Sequence, residues 1–259
     1  MIYKALTIAG SDSSGGAGIQ ADLKTFLAFR VYGMSAITSI TAQNTKGVYG
    51  VIDLPGEFVY NQIKVIAEDI GIDAAKTGML SNEDIIINVA KAIKDFKIKK
   101  LVVDPVMISK TNYLLLKQNA INALIEEIIP LSLIITPNIN EAEVITNMKI
   151  NTIEDMKECA KILKSFGAKC VIIKGGHKPF ENKVIDIIYY NDEFIELTYP
   201  FLNTKNTHGT GCTFSSAITA NLAKGKDILT SIRIARAYTQ FAIENNLNIG
   251  KGYGPLGHL

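Results

Sequence analysis

Short apolar runs rich in β-branched residues alternate along the chain with longer stretches in which apolar residues recur every three to four positions. Runs of the first kind are typical of buried strands, and stretches of the second kind are typical of amphipathic helices. This pattern predicts strands at 6–9, 35–41, 74–76, 101–104, 133–136, 170–174, 184–189 and 194–197. It predicts helices at about 17–30, 57–69, 83–96, 114–128, 139–147, 153–166, 212–224 and 228–246.

Strands that alternate with helices in this way form a mostly parallel sheet with helices on both faces. The last two strands flank the turn-forming pair Asn191-Asp192, so we expect them to pair as an antiparallel hairpin at one edge. No repeat, linker or break in composition divides the chain. The sequence therefore predicts a three-layer α/β/α fold of the α/β class, in a single domain over 1–259. Ligands of such sheets bind beyond the carboxyl ends of the strands.

Composition narrows the range of functions. The chain has 259 residues, of which 47% are apolar, so a large core is available. The net charge is only +2, and no basic run stands out, which argues against nucleic acid as a partner. Three cysteines without metal-ligand spacing favour a reducing compartment. The sequence shows neither a secretory signal nor an apolar run long enough to span a bilayer, so we expect a cytoplasmic protein that does not enter membranes.

A glycine-rich segment, 206–215, leads directly into a predicted helix and carries the strongest chemical signal. Gly209 and Gly211 allow a tight turn in which the N–H groups of Gly209, Thr210, Gly211 and Cys212 converge. The first turn of the helix adds unpaired donors and the positive end of the helix dipole. This combination suits a phosphate or a phosphoryl group in transfer. The alternative is an ordinary glycine-rich turn before a helix.

A second glycine-rich segment, 9–22, follows the first strand. Positions 16–21 match a loose dinucleotide-binding pattern, but no carboxylate lies between Asp22 and Asp53 to complete it. A Walker loop is excluded because no Gly-Lys-Ser/Thr follows. The segment still lets a ligand approach the backbone. Asp22, near the start of its helix, is either a surface carboxylate that complements the helix dipole or a ligand contact.

Polar residues also end the later strands. Gln43 offers a donor and an acceptor on one planar group, which suits a heterocycle with an amine beside a ring nitrogen; the alternative is an amide that caps the turn. Lys174 precedes two glycines and can meet a phosphate there; the alternative is an isolated surface lysine.

Two carboxylates and one amide follow the two middle strands and allow two interpretations. Asp104 ends a buried-type strand, where a carboxylate is rarely placed for stability. Asn138 and Glu141 are spaced as the N-cap and N3 positions of a capping box. The alternative is that Glu141 and Asp104 help to hold Mg²⁺ through water, because this ion prefers oxygen ligands.

Six segments are distinctive when taken together: 9–22, 41–45, 76–80, 136–138 with Glu141, 174–177 and 206–212. In this order they resemble the hydroxymethylpyrimidine/phosphomethylpyrimidine kinases of thiamine biosynthesis, which belong to the ribokinase-like superfamily. The resemblance extends over essentially the whole chain. It implies a ribokinase-like fold, a homodimer, and ATP-dependent phosphorylation of 4-amino-5-hydroxymethyl-2-methylpyrimidine and then of its monophosphate.

The same resemblance implies a role for each candidate residue. The anion hole around the phosphoryl group would be formed by Gly209, Thr210, Gly211 and Cys212. The aminopyrimidine would be held by Gln43 with Asp22, Ala17, Met79 and Val106 around it. The ATP phosphates would meet Asn138, Lys174 and Thr207. Mg²⁺ would be organised by Glu141 with Asp104.

The chain departs from its relatives at three points. Most sugar kinases of the superfamily have aspartate, a base, where this chain has Cys212. A helix N-terminus lowers a thiol pKa, so Cys212 is either a thiolate base or one more member of the anion hole. The segment 110–112 reads Lys-Thr-Asn where the family has Lys-Ser-Gly, and 252–255 lacks the family's histidine.

Three other functions compete with this interpretation. A pyridoxal kinase of the same superfamily is the nearest alternative, although Gln43 favours a pyrimidine. A cysteine hydrolase would use Cys212 with His208, which lies four positions earlier. A nucleotide-binding regulatory protein without catalysis is the third.

Overall fold

The computed structural model describes residues 2–108, 113, 115–116, 120–176 and 183–258. The strands are β1 (Lys4–Asp12), β2 (Tyr32–Asn44), β3 (Gly47–Asp53), β4 (Ala74–Thr77), β5 (Leu101–Val103), β6 (Ile134–Ile135), β7 (Cys170–Ile173), β8 (Lys183–Tyr190) and β9 (Glu193–Pro200). The helices are α1 (Gly18–Ala28), α2 (Gly56–Asp69), α3 (Glu83–Asp95), α4 (Ile121–Ala123), α5 (Ile139–Thr146), α6 (Ile153–Ser165), α7 (Thr210–Ala223) and α8 (Ile228–Glu244).

The strands form one nine-stranded sheet in the order β3-β2-β1-β4-β5-β6-β7-β8-β9. Strands β2, β1, β4, β5, β6 and β7 run parallel to their neighbours in this series, and the β8–β9 hairpin adds the predicted antiparallel edge. The opposite edge is antiparallel as well, because β3 folds back on β2. The sequence pattern missed β3, since its two glycines interrupt the apolar run and neither of its faces is fully buried.

Alternate residues of the central strands pack against two separate helical layers, as the pleat of a strand requires. Leu101 and Val103 belong to the core under α2, α3, α5 and α6, whereas Val102 between them belongs to the core under α1, α7 and α8. The predicted three-layer arrangement is therefore confirmed. No helix in the described part of the chain combines the length and the apolar character that a membrane span needs.

Most predicted helices are confirmed within a few residues, and their ends have identifiable causes. The Asn82 side chain accepts a hydrogen bond from the Ile85 amide at 3.0 Å and so begins α3. The helix predicted at 114–128 is only partly described. Its described portion is α4, followed by a π-helical turn (Leu124–Ile128) and a 3₁₀ turn (Ile129–Leu131) that contains Pro130, which lacks the amide hydrogen that a regular helix needs.

Candidate active site

A cavity of about 280 Å³ lies beyond the carboxyl ends of the parallel strands. Its wall includes every predicted site residue except Asp22. These residues come from the ends of β1, β2, β4, β5, β6 and β7 and from the start of α7. The wall residues predicted from sequence are Ala17, Gln43, Met79, Asp104, Val106, Asn138, Glu141, Lys174, Thr207, Gly209, Thr210, Gly211 and Cys212.

The start of α7 forms a concave, amide-lined turn. Gly209 is the N-cap residue and has φ +83°, a left-handed conformation that favours glycine. A Cβ at this position would collide with the Gly16 carbonyl oxygen, so the turn and the loop after β1 pack backbone to backbone. Gly211 and Cys212 lie in the first helical turn, where amides have no acceptor within the helix. This geometry supplies donors and a positive helix end to an anion in the cavity.

Lys174 stands against this turn. A Cβ at Gly211 would lie 3.2 Å from Lys174 Nζ and 3.4 Å from Asp104 Oδ2. The ammonium makes an ion pair of 2.9 Å with Asp104 Oδ1, and only 16% of the lysine side chain is exposed. Burial alone would raise the pKa of Asp104, but Lys174 and Lys76 beside it hold that pKa below its usual value. The surface-lysine alternative is therefore wrong.

Asn138 and Glu141 form the predicted capping box at the start of α5. The Glu141 amide donates to Asn138 Oδ1 at 2.9 Å, and the Asn138 amide donates to Glu141 Oε2 at 2.8 Å. This cap does not remove Glu141 from the site, because the residue still lines the cavity with Asp104. Burial raises the pKa of Glu141 to about 7; Lys174 opposes this rise, and the negative charge of Asp104 adds to it.

These two carboxylates fit a hard divalent cation. A cation would relieve the mutual repulsion that contributes to the raised pKa of Glu141. No cluster of three or more metal-ligating side chains occurs among the described residues. An ion held here would therefore complete its coordination with water and phosphate oxygens, as Mg²⁺ commonly does.

Asp22 lies beneath the cavity rather than in its wall. Its carboxylate is fully buried and pairs with the equally buried Lys76 at 2.9 Å. It also accepts hydrogen bonds from the Thr7 and Ser216 hydroxyls, both at 2.6 Å. The surface-carboxylate alternative is wrong, and the side chain contacts the core of the fold instead of the space that a ligand would fill.

Cys212 is partly exposed and lines the cavity. Burial raises the pKa of its thiol to about 12, and the nearby Lys76 ammonium opposes this rise without cancelling it. The expectation that the helix N-terminus lowers this pKa is therefore wrong. At neutral pH the side chain is a neutral thiol at the rim of the amide-lined turn.

The loop after β1 is organised by Asp12. Its carboxylate accepts hydrogen bonds from the amides of Ser14 at 2.8 Å and Ala17 at 2.9 Å, and it lies 2.8 Å from Nε2 of His208. Burial would raise the pKa of Asp12, but hydrogen bonds from His208 and Ser14 lower it to about 2. Because His208 directs Nε2 at Asp12, this nitrogen does not serve Cys212 as the cysteine-hydrolase alternative requires.

Sequence reasoning missed two further parts of the site. Asp12, His208 and Lys76 stood inside recognised segments, but no local pattern shows that Asp12 meets His208 or that Lys76 meets Asp22. The second part is the stretch of cavity wall formed by β8, the segment after β9 and α8, which we call the apolar lobe although it also contains the Arg236–Asp186 ion pair. Grooves of this kind carry no motif. Residues lining this lobe include Val184, Phe201, Leu202, Gln240 and Ile243. His177 and the departure at 110–112 lie outside the described residues.

Comparison with known proteins identifies the family. The phosphomethylpyrimidine kinase family model matches residues 12–257. A Bacillus subtilis protein named hydroxymethylpyrimidine/phosphomethylpyrimidine kinase is 51% identical over 257 residues, which cover 99% of this chain and 95% of that protein. The crystal structure of phosphomethylpyrimidine kinase from Clostridium difficile 630 has a TM-score of 0.83 at 48% identity, covering 93% of this chain and 99% of that one.

A pyridoxal kinase is also similar. The Staphylococcus aureus enzyme, in complex with AMP-PCP and pyridoxal, has a TM-score of 0.92 at 38% identity and covers 100% of this chain and 94% of its own. Pyridoxal kinases and phosphomethylpyrimidine kinases thus share this fold. The family model and the relatives with higher identity are phosphomethylpyrimidine kinases. The chain belongs to the phosphomethylpyrimidine kinase family.

Proposed function

We propose that this protein transfers the terminal phosphoryl group of ATP to 4-amino-5-hydroxymethyl-2-methylpyrimidine and then to the resulting monophosphate. One observation carries the proposal: a single cavity joins the amide-lined turn at 209–212, the Lys174 ammonium and the Asp104–Glu141 pair to the amide of Gln43. The first three features suit a phosphoryl group in transfer, and the amide suits an aminopyrimidine.

ATP is the co-substrate of this kinase. Thr207, Asn138 and Lys174 line the same cavity as the amide-lined turn, so they are suited to contact the ATP phosphates. The apolar lobe beside the β8–β9 hairpin then receives the adenine, where Phe201 and Leu202 would cover its faces. Support comes from the Staphylococcus aureus relative, which binds the ATP analogue AMP-PCP on the same fold.

Catalysis would depend on position and charge. Phosphoryl transfer has a loose transition state, so the protein contributes chiefly by orienting the reactants and neutralising charge on the phosphoryl oxygens. The amides of Gly209, Gly211 and Cys212 and the Lys174 ammonium would donate to these oxygens. The Thr210 amide instead donates to the Thr207 carbonyl oxygen at 3.3 Å. Asp104 and Glu141 would hold Mg²⁺ through water, and this ion would supply further neutralisation of phosphate charge.

Pyridoxal is the second candidate acceptor, because a similar kinase binds it. A coupled ATP-consumption assay with the pyrimidine alcohol, its monophosphate and pyridoxal side by side distinguishes the candidates. We expect kcat/KM to be highest for the pyrimidine acceptors. Gln43→Ala should weaken pyrimidine binding and leave the KM for ATP unchanged. Higher kcat/KM for pyridoxal, or no turnover with either pyrimidine, would contradict the proposal.

The resemblance also implies a homodimer, and the composition favours a cytoplasmic location. The antiparallel edge added by β3 provides a suitable surface, since Ile40 of β2 and Ile52 of β3 are paired in register and are 48% and 68% exposed. Tyr49 on β3 is 68% exposed as well. Light scattering after gel filtration tests this part of the proposal: a dimer is expected, and Ile52→Lys should shift it toward monomer.

A further inference from the structure

The side-chain amide of Gln43 lies between His208 and Thr41. These two neighbours determine which of them the amide nitrogen faces and which the amide oxygen faces. The amide nitrogen stands 3.3 Å from His208 Nε2, and the amide oxygen stands 3.1 Å from Thr41 Oγ1. A half-turn about the last side-chain torsion exchanges the two ends with almost no change in shape. The orientation therefore follows from the hydrogen-bonding capacity of the neighbours.

His208 offers Gln43 no acceptor. Its Nε2 lies 2.8 Å from Asp12 Oδ2, and the same oxygen accepts hydrogen bonds from the amides of Gly16 and Ala17. The low pKa of Asp12, about 2, keeps this carboxylate ionised and without a proton to donate. His208 Nε2 must therefore carry the hydrogen. An amide nitrogen of Gln43 facing it would place two donors against each other.

Thr41 can only accept from Gln43. Its single hydroxyl hydrogen is directed at the Ser11 carbonyl oxygen, which is 2.8 Å away and can only accept. The hydroxyl oxygen keeps its lone pairs for another donor. On this side too, the favourable partner is the nitrogen of Gln43 and not its oxygen.

We infer that Asp12, His208 and Thr41 lock the Gln43 amide with Oε1 toward His208 and Nε2 toward Thr41, and that His208 is a positioning residue that sets acceptor specificity through Gln43. The substrate part of this inference rests on the proposed function. The locked amide keeps one N–H and one oxygen lone pair for the ligand. It selects an aromatic heterocycle whose unprotonated ring nitrogen meets the N–H and whose adjacent amine meets the oxygen.

This order also fixes where the reacting alcohol lies. In the proposed acceptor, the ring nitrogen, the amine and the hydroxymethyl group follow one another around the ring. With the amine on the His208 side, the hydroxymethyl group extends farther in that direction. His208 is the residue directly before the amide-lined turn at 209–212. The reversed amide would point the alcohol toward Thr41 and away from that turn.

A double-mutant cycle tests whether His208 acts through Gln43. His208→Leu should raise the KM for the pyrimidine alcohol about tenfold, as the loss of one oriented hydrogen bond implies, and leave the KM for ATP unchanged. His208→Gln, which returns a donor near the position of Nε2, should recover most of this loss. In a Gln43→Ala background, His208→Leu should add less than about twofold, because the group that it orients is gone.

His258→Leu is the matched control, because His258 is a half-buried histidine beside Tyr238, outside the cavity wall. It should leave both KM values unchanged. A rise in pyrimidine KM that is the same with and without the Gln43 amide would overturn the inference, since it would assign His208 to loop packing alone.

Neutron diffraction from D₂O-exchanged crystals of the wild-type protein tests the orientation without any assay. Deuterium on the end of Gln43 that faces Thr41 is expected, with deuterium also on His208 Nε2. Deuterium on the end facing His208 would overturn the inference. If the wild-type enzyme fails to phosphorylate the pyrimidine, the proposed function fails, while the neutron map still decides the amide orientation.

Discussion

Replacing Asp22 by asparagine separates a substrate contact from a core ion pair. The resemblance to known kinases assigns Asp22 to the pyrimidine site, whereas the structure buries it completely against Lys76 at 2.9 Å. Asparagine keeps the shape of the side chain, and its one oxygen, placed where Oδ1 was, can still accept a hydrogen bond from Ser216. Its nitrogen, placed where Oδ2 was, would donate to the Thr7 hydroxyl, which can rotate to accept. The substitution removes the charge, and so leaves the buried ammonium of Lys76 without its nearest counter-ion.

The expected loss of stability is large. Removing one partner of a buried ion pair destabilises a protein by about 3–5 kcal/mol, because the remaining charge is left uncompensated. The whole stability of a folded domain is about 5–15 kcal/mol. A protein of this size should therefore lose roughly 6–20 °C in Tm, at about 2–4 °C for each kcal/mol.

The loss should depend on pH. Burial alone would lower the pKa of Lys76, but Asp22 beside it raises that pKa above its usual value, so the pair stabilises the wild type until the lysine deprotonates at strongly alkaline pH. In Asp22→Asn the same burial acts without the carboxylate and favours the neutral amine. The variant then releases its proton as pH rises, and its deficit relative to wild type should shrink between pH 7 and pH 9.5.

Urea unfolding followed by circular dichroism at both pH values measures this deficit, and pyrimidine KM is measured alongside. The double variant Asp22→Asn/Lys76→Met should recover stability, because no unpaired charge remains. Glu127→Gln is the matched control: it breaks an exposed 2.8 Å pair with Lys94 and should cost less than about 1 kcal/mol. An Asp22→Asn variant as stable as wild type, with a pyrimidine KM raised tenfold, would refute the core-pair reasoning and restore Asp22 to the binding site.

Four further predictions concern the anion site. Lys174→Met should lower kcat by about 10²–10³-fold with little change in pyrimidine KM, as expected for a group that stabilises transition-state charge. An unchanged kcat in steady-state assays would contradict that role. Alkylation of Cys212 by iodoacetamide should still accelerate with each pH unit up to pH 10, because burial raises its pKa to about 12; a plateau near pH 7 would show a thiolate instead. Glu141→Gln should unfold at a higher urea concentration than wild type at pH 8 but not at pH 5, because a carboxyl whose pKa is raised to about 7 destabilises the fold once it is ionised. The same variant should need more Mg²⁺ for its half-maximal rate. Gly209→Ala, which forces a Cβ against the Gly16 carbonyl oxygen at a positive φ, should abolish turnover; wild-type rates in a folded variant would remove the 209–212 turn from the mechanism.

Features encoded by neighbouring residues were predictable from the sequence. The amide-lined turn and the capping box are each contained in one short segment, so their geometry follows from local rules for glycine and for helix caps. Helices such as α3 and α6 were found because their apolar periodicity is long and regular. Strand β3 was not, because a short strand with two glycines and no fully buried residue lacks a clear alternation.

Features that depend on distant residues were not predictable from pattern. Asp22 and Lys76 are 54 positions apart, and Asp12 and His208 are 196 apart. No local signal distinguishes a carboxylate that will meet a buried lysine from one that will face water. The same limit explains the thiol of Cys212, whose position at a helix N-terminus was visible in the sequence but whose burial was not. Burial, the larger influence, reversed the predicted direction of its pKa.

The neutral state of Cys212 bears on how one site would serve two acceptors. An alcohol must lose a proton on phosphorylation, whereas a monophosphate attacks with an oxygen that is already ionised and needs no base. A dedicated thiolate would help only the first of these reactions, and burial disfavours it here. The backbone amides of the 209–212 turn and the Lys174 ammonium would act on the phosphoryl group, which is the same in both reactions. Because charge on the attacking oxygen of a loose transition state develops late, such a site accepts either nucleophile. On this reasoning Cys212 belongs to the anion hole, and Cys212→Ser should slow both phosphorylations by a similar factor.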